Sequence, residues 1–377
     1  MGRDDRRGRR GGGLTVPGVT LEGVTKEYPG GVTAVDNISL VIEEGEFVTL
    51  VGPSGCGKTT TLRTIAGFEQ ATAGTVGIAG MEVNNTPPDG RDTGMVFQDF
   101  ALFPHMTVAE NIAYGLEVRG EDDETIDARV QEMLELVELP ETADRKPTQL
   151  SGGQQQRIAV ARAVAPKPSV LLLDEPLASL DKKLRETMQV ELSRIQKQLG
   201  ITTLLVTHNQ KEALTMSDRV VVMNDGEFEQ VDTPEAVYSN PASPFVADFI
   251  GNANLFDGSV VASTDSGKTT INCGGITLQA NTSKRQQLGE NVTVMIRPEN
   301  IDLADQSVAT DGGEAITTID GTVTFTQFGG GQTEFFVETE AGQEITSIQQ
   351  SEHTTLKTGD HAELLVRSSD VLVFPNT

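Results

Sequence analysis

Residues 52–59 read Gly52-Pro-Ser-Gly-Cys-Gly-Lys-Thr59, which satisfies the pattern G-x-x-x-x-G-K-[ST] and leaves few folds open. A β-rich run at 47–52 leads into the loop and a helical pattern at 59–67 leads out of it. The loop therefore belongs at a strand-to-helix junction. There its glycines let backbone N–H groups converge on phosphate oxygens, and the helix N-terminus adds positive potential. Lys58 is expected to neutralise β- and γ-phosphates, and the Thr59 hydroxyl to ligate Mg²⁺. Gly52, Pro53, Ser54, Gly55, Cys56, Gly57 and Thr60 complete the expected nucleotide contacts, Cys56 with no role beyond being small.

A strand feeding such a loop implies an α/β sheet, and residues 19–250 agree with it by alternating short apolar runs with helical stretches. Val170–Asp174 and residues 203–207 are apolar and bounded by polar residues, as strands buried on both faces are. Residues 124–139 place Ile126, Val130, Met133, Leu134 and Val137 at helical spacing. Beyond residue 250 the composition shifts to Thr, Val, Gly and Gln. Strand-like alternations recur there at 292–296, 321–325, 334–338 and 363–366, with turn residues between them. That pattern predicts a small all-β, OB-like barrel. The 377 residues thus divide into a tail at 1–18, an α/β domain at 19–250 and a β domain at 251–377.

Charge excludes one class of partner. The chain carries 55 acidic and 29 basic residues, a net −26. From residue 251 onward there are 17 acidic and 6 basic residues, so the acidity is shared by both parts. Nucleic-acid binding needs a basic patch, and none is expected. Such self-repulsion is tolerable where salt screens it within a few ångströms, so the expected setting is a salt-rich, halophilic cytoplasm. No apolar run approaches the ~20 residues of a spanning helix, so work at a membrane would need a partner that spans it. The first 15 residues hold five Arg, two Asp and a glycine run without the apolar core of a signal peptide, and predict a disordered tail. Cys56 and Cys273 are the only cysteines, which fits a reducing cytosol rather than a disulfide framework.

Asp174 ends the run Val170-Leu-Leu-Leu173, which puts a carboxylate at the C-terminal end of a strand, where open α/β sheets bind ligands. Asp174 is expected to hold Mg²⁺, and Glu175 to act on the attacking water. Upstream, Leu150-Ser-Gly-Gly-Gln154 places a second glycine nest at a helix start. A phosphate loop, then L-S-G-G-Q, then a strand ending in Asp-Glu resembles the ABC ATPases. The resemblance implies that Ser151, Gly152, Gly153 and Gln154 close over the γ-phosphate held by a second copy, making a dimer with two composite sites. It also implies that Tyr28 stacks on adenine and that Gln98 touches Mg²⁺ and water. Asp181, in Ser179-Leu180-Asp181, would couple the two sites, and His208 would contact the γ-phosphate.

The resemblance covers residues 19–377. Its helical subdomain would lie at about 99–165, and Phe100-Ala-Leu-Phe-Pro-His-Met-Thr-Val108 resembles the start of that subdomain in importer ATPases, where a permease docks. The C-terminal part looks like their accessory β-barrel, with Arg297-Pro-Glu299 matching a recurrent segment. This combination resembles the ATPases that drive import of polyamines, ferric iron, inorganic oxyanions or sugars, and Leu102-Phe-Pro leans toward the first three. ATP and Mg²⁺ are the implied ligands. The implied partners are permease subunits and, indirectly, an extracellular solute-binding protein, with the chain at the cytoplasmic face of the membrane. A soluble ABC ATPase of DNA repair or translation would need a long coiled coil or tandem cassettes. An exporter ATPase is disfavoured by the C-terminal barrel, and a non-hydrolysing module by the presence of Glu175 and His208.

Overall fold

The computed structural model describes residues 16–283, 285–304, 315–351 and 356–376. Most of the expected tail, residues 1–15, lies outside them. The chain forms two compact units, Met1–Ala236 and Val237–Thr377.

The first unit begins with β1 (Val19–Tyr28), β2 (Val32–Ile42), β3 (Phe47–Val51), α1 (Lys58–Ala66), β4 (Ala73–Ile78), β5 (Met81–Glu82) and β6 (Thr93–Val96). Three helices follow, α2 (Val108–Arg119), α3 (Asp123–Leu136) and α4 (Gly152–Val164). The unit continues through β7 (Val170–Asp174), α5 (Lys182–Leu199), β8 (Thr202–Thr207), α6 (Gln210–Met216), β9 (Arg219–Asn224) and β10 (Glu227–Asp232). Its main sheet has the order β10-β9-β3-β8-β7-β6, and only β10 runs antiparallel to its neighbour. A four-stranded antiparallel sheet, β2-β1-β4-β5, accompanies it. The expected parallel sheet does not account for this second sheet, whose strands are half-buried rather than wholly apolar.

β7 shows why the main sheet reads as apolar runs. All five of its residues are buried, and successive side chains enter different cores. Val170 and Leu172 join the cluster holding Leu50, Leu62 and Ile65. Leu171 and Leu173 join the cluster built by α2, α3 and α4, with Ile112, Met133 and Ile158. A strand covered on both faces cannot alternate polar and apolar positions. Burying each such leucine contributes roughly 1.5–3 kcal/mol. The three helices pack within the stretch expected for a helical subdomain.

Because the central strands are parallel, their carboxyl ends lie along one edge. Val51 pairs with Thr207, Asp174 with Val206, and Val96 with Leu173. The segments that follow β3, β8, β7 and β6 therefore start side by side.

The second unit opens with the end of α7 (Pro234–Ser239) and continues through α8 (Pro244–Gly251). Ten strands follow among the described residues: β11 (Asn254–Ser263), β12 (Lys268–Cys273), β13 (Ile276–Asn281), β14 (Asn291–Ile296), β15 (Ile301–Leu303), β16 (Ile316–Phe328), β17 (Gln332–Thr339), β18 (Glu344–Gln350), β19 (His361–Arg367) and β20 (Val371–Pro375). The expected barrel is built as two five-stranded antiparallel sheets, β13-β12-β11-β14-β20 and β15-β19-β16-β17-β18, around one core. Phe335, Leu278 and Leu364 are fully buried in it. The four alternations seen in the sequence fall within β14, β16, β17 and β19.

The units divide between residues 236 and 237, not between 250 and 251 as expected. Arg297 supplies the reason. Its guanidinium donates to the carbonyls of Ala247 (2.7 Å) and Tyr238 (2.8 Å) and lies 4.3 Å from the Tyr238 ring centre. The Tyr238 hydroxyl donates in turn to the Glu299 carboxylate. A Cβ on Gly251 would meet an Arg297 nitrogen at 2.0 Å, so that close approach needs glycine. The Arg297-Pro-Glu299 segment thus ties α8 and the end of α7 to the β unit. No helix among the described residues is long and apolar enough to cross a membrane.

Candidate nucleotide site

The glycine loop leaves β3 and opens α1, as its spacing requires. Gly57 precedes α1 in the left-handed region at φ 108°, and a Cβ there would meet the Ala34 carbonyl oxygen at 2.2 Å. A Cβ on Gly52 would meet the Met223 carbonyl oxygen at 2.1 Å. Only glycine fits both positions. No side chain caps α1, so its first N–H groups are left for another acceptor.

Lys58 is 6% exposed, and its ammonium group donates to the carbonyls of Gly52 (2.8 Å) and Pro53 (2.6 Å). Cys56 Sγ lies 3.6 Å from it. Burial pushes the Cys56 thiol up despite the Lys58 charge, which keeps it protonated and suits a packing role.

Asp174 comes from the end of β7, which β8 separates from β3, and is 7% exposed. It accepts a long hydrogen bond from the Thr59 hydroxyl, 3.4 Å. Burial raises the Asp174 pKa above the usual carboxylate value; Arg63 opposes this, Glu175 adds to it, and the Thr59 bond opposes it. Glu175 adopts φ 46°, in the left-handed region, and its N–H donates to the Val206 carbonyl, 2.9 Å. A non-glycine residue held there costs about 1–3 kcal/mol, which the surrounding structure must sustain. The result directs the carboxylate to His208, with 3.1 Å between Glu175 Oε2 and His208 Nδ1. That contact is a hydrogen bond when Nδ1 carries the proton.

These groups surround a cavity of about 470 Å³ lined by Ser54, Gly55, Gly57, Lys58, Thr59, Thr60, Glu175 and His208, with Ala34 from β2. Gly52, Pro53 and Cys56 lie behind the lysine. The remaining predicted residues do not line it. Tyr28 ends β1, with the Lys26 ammonium 4.9 Å from its ring centre. Gln98 is exposed, two residues past β6. Ser151 caps α4 in a reciprocal pair with Gln154: the Gln154 N–H donates to Ser151 Oγ (3.4 Å), and the Ser151 N–H donates to Gln154 Oε1 (2.9 Å). Gly152 is exposed and Gly153 buried, where a Cβ would meet Leu184 at 2.8 Å. Asp181 caps α5 by accepting from the Leu184 N–H, 3.0 Å.

Two contributors escaped the sequence. Ala34 acts through its backbone, which leaves no side-chain signal. Arg162 of α4 donates to the carbonyls of Ala101 (2.7 Å) and Phe100 (2.9 Å), two consecutive non-glycine residues with φ of 46° and 62°. It thereby fixes the segment after Gln98. The available signal was an arginine inside the otherwise apolar run 158–164.

Comparison with known proteins agrees with this geometry. The ABC transporter family model matches residues 35–178, and the TOBE domain model matches residues 294–374. The spermidine/putrescine import ATP-binding protein PotA of Thermobifida fusca (strain YX) is 47% identical over 351 residues, covering 92% of this chain and 90% of that protein. The protein of the same name from Pseudomonas aeruginosa (strain UCBPP-PA14) is 48% identical over 336 residues, covering 89% and 91%. Among solved structures, the dimeric ATP-binding cassette MJ0796 in a post-hydrolysis state, bound to ADP and Pi, shares 37% identity. It aligns with a TM-score of 0.52 over 57% of this chain and 98% of its own. With the phosphate loop, the Asp-Glu strand end and the histidine at one edge of the sheet, and relatives matching nearly its whole length, this chain belongs to the ATP-binding proteins of ABC transporters, ATPases that here carry a C-terminal TOBE domain.

Proposed function

We propose that the protein hydrolyses ATP to drive polyamine import, using Glu175 as the base and His208 as its partner beside the phosphate loop. The observation that carries the reading is the Glu175–His208 contact at the mouth of a glycine-lined cavity. The polyamine cargo rests on the relatives, which bear the name spermidine/putrescine import ATP-binding protein over about nine-tenths of their length.

ATP would enter with its phosphates over Ser54, Gly55, Cys56 and Gly57, where uncapped α1 amides accept negative charge. Lys58 would turn from its own loop carbonyls to the β- and γ-phosphates, a charge-assisted exchange. Thr60 adds a hydroxyl and Tyr28 an aromatic face for adenine. Thr59 and Asp174 offer the hard oxygen donors that suit Mg²⁺, and no cluster of three or more His, Cys, Asp or Glu competes as a metal cage among the described residues. Gln98 would add an amide oxygen. When bound, Mg²⁺ neutralises charge on the phosphate oxygens.

Glu175 would take the proton of the attacking water, and His208 would hold that carboxylate and face the γ-phosphate. Ser151, Gly152, Gly153 and Gln154 do not line the cavity, which supports their use by a second copy, and the similar cassette MJ0796 is dimeric. Asp181 would lie between the two sites of that dimer. The spanning partner would be a permease fed by an extracellular solute-binding protein, with this chain peripheral on the cytoplasmic face.

Glu175→Gln tests the reading. It should leave ATP affinity within about twofold while turnover falls ~10²–10⁴-fold, the usual worth of a general base. The variant should dimerise in ATP and revert in ADP, read by size-exclusion chromatography with light scattering. Wild-type turnover would sink the assignment of Glu175.

A further inference from the structure

His208 is pinned on both sides by the start of α6. Before it, the Thr207 hydroxyl donates to Glu212 Oε2 at 2.6 Å. After it, Asn209 caps α6, its side chain accepting from the N–H groups of Lys211 (3.0 Å) and Glu212 (3.4 Å). The Asn209 N–H also donates to Thr207 Oγ1, 3.0 Å. Glu212 therefore closes a small ring of bonds around the histidine backbone, and at 3% exposure it does so away from water.

The other oxygen of Glu212 faces α5. Glu212 Oε1 lies 3.9 Å from Arg185 Nε. The same guanidinium donates to the carbonyls of Leu180 (2.9 Å), Leu177 (3.3 Å) and Ala178 (3.5 Å). Those carbonyls belong to the segment joining Glu175 to Asp181. One buried carboxylate thus touches the segment carrying His208 and, through one arginine, the segment carrying Glu175.

We propose that Glu212 is a positioning residue, paired with Arg185, that fixes His208 against the Glu175–Asp181 segment and so keeps the hydrolytic pair in register. This rests on the catalytic reading of Glu175 and His208 given above. Glu212 does not line the cavity, and its bonded contacts with the two catalytic segments run through Thr207 and Arg185. Burial raises its pKa; the Thr207 bond and the charges of Arg185 and His208 oppose that, and the Glu175 carboxylate adds to it. A carboxylate kept in so dry a place without reaching the ligand fits a structural tie to the two catalytic segments.

The same two helices are bridged a second time, at the surface, by Lys211 and Glu186 at 3.0 Å. That pair is a built-in control, since it joins α5 to α6 without touching either catalytic segment. An exposed pair of this kind contributes little.

The test uses the full chain, with ATP affinity measured by equilibrium binding and turnover by phosphate release. Glu212→Gln keeps the shape and one hydrogen bond to Thr207 but drops the charge that faces Arg185. It should lower kcat about 10-fold or more with ATP affinity and KM within about twofold. Arg185→Gln, at a partly exposed side chain that tolerates the change, should do the same. The double variant should be no slower than the worse single, because both break one tie. Glu186→Gln should leave all three quantities unchanged. Wild-type kcat in both single variants overturns the proposal. So does a loss of ATP affinity in step with kcat, which would mean general damage. If Glu175→Gln itself turns over normally, the underlying catalytic reading has failed. If Glu175→Gln is slow while Glu212→Gln and Arg185→Gln are normal, only the positioning role has failed.

Discussion

Two helices in the first unit begin at glycine-rich turns, and they begin differently. α1 starts at Gly57 with no side-chain cap, and its loop is packed so closely that Ala34 and Met223 leave no room for a Cβ at Gly57 or Gly52. α4 starts at Ser151, exposed, with a reciprocal cap from Gln154. A Cβ on Gly152 would meet nothing closer than Leu180 at 3.5 Å, an ordinary contact. The first N-terminus has its backbone amides unclaimed and its shape imposed by neighbours. The second has one helix amide, that of Gln154, claimed by the Ser151 hydroxyl, and its first residues are exposed. An anion can bind α1 with this chain alone, whereas at α4 it must compete with an existing cap. That difference is physical, and under the proposed function it separates a binding loop complete in one chain from half of a composite one.

The sharpest way to break the contrast is Gly57→Ala. Alanine there must hold a left-handed backbone and meet the Ala34 oxygen at 2.2 Å, a backbone atom that cannot swing aside. The strain alone exceeds ~1 kcal/mol, and the loop must also change shape. ATP binding should be lost and the melting temperature should fall. Gly152→Ala is the matching change at α4 and should leave ATP affinity of the isolated chain as it is. Equal loss of binding in the two variants would erase the distinction. Isothermal titration with ATP measures both.

How much of this was legible beforehand follows from where the information resides. The phosphate loop and Val170–Asp174 were readable because backbone geometry at Gly57 demands glycine, and a strand covered on both faces demands an apolar run; His208 was reached only through the family resemblance. The antiparallel sheet of β1, β2, β4 and β5 was not, since half-buried strands such as β1 carry mixed residues. The unit boundary was misplaced because Arg297 holds α8 from fifty residues away, and composition changes only after that helix. Arg162 and Glu212 were missed for a related reason. Each is one polar residue whose partners are carbonyls or side chains on distant segments, and no local spacing encodes them.

A second, smaller effect is expected at Asp174, on the side of the site that α1 faces. Its raised pKa means that the folded chain disfavours the charged form relative to the unfolded chain. The sign follows: the stabilising contribution of the neutral group is present below the unfolded pKa and is lost as pH rises through the folded one. Near neutral pH the ionised carboxylate is therefore a cost retained for ligand binding. Asp174→Asn should raise the melting temperature at pH 7 without nucleotide, and this gain should shrink as pH falls through the acid range. The same variant should lose most of the further stabilisation that ATP with Mg²⁺ gives the wild type. A variant less stable than wild type at neutral pH would show that Asp174 is structural.

The smallest expected effect is the one that discriminates best, because it is nearly silent in the isolated chain. Ser151→Ala removes the side chain that accepts from the Gln154 N–H, and losing a serine cap costs about 0.5–2 kcal/mol. For a unit of this size, each kilocalorie lowers the melting temperature by roughly 2–4 °C. ATP affinity of the single chain should not change, since Ser151 does not line the cavity. The consequence should surface only when two copies meet. Combined with Glu175→Gln, which should hold ATP unhydrolysed, Ser151→Ala should weaken the ATP-dependent dimer by far more than the lost cap explains. The hydroxyl that the cap uses in the single chain is the one a second copy's phosphate would need. Light scattering across a concentration series reads that difference directly. If the double variant dimerises as tightly as Glu175→Gln alone, the exposed turn at Ser151 is an ordinary helix cap, and α1 holds the only anion site of the pair.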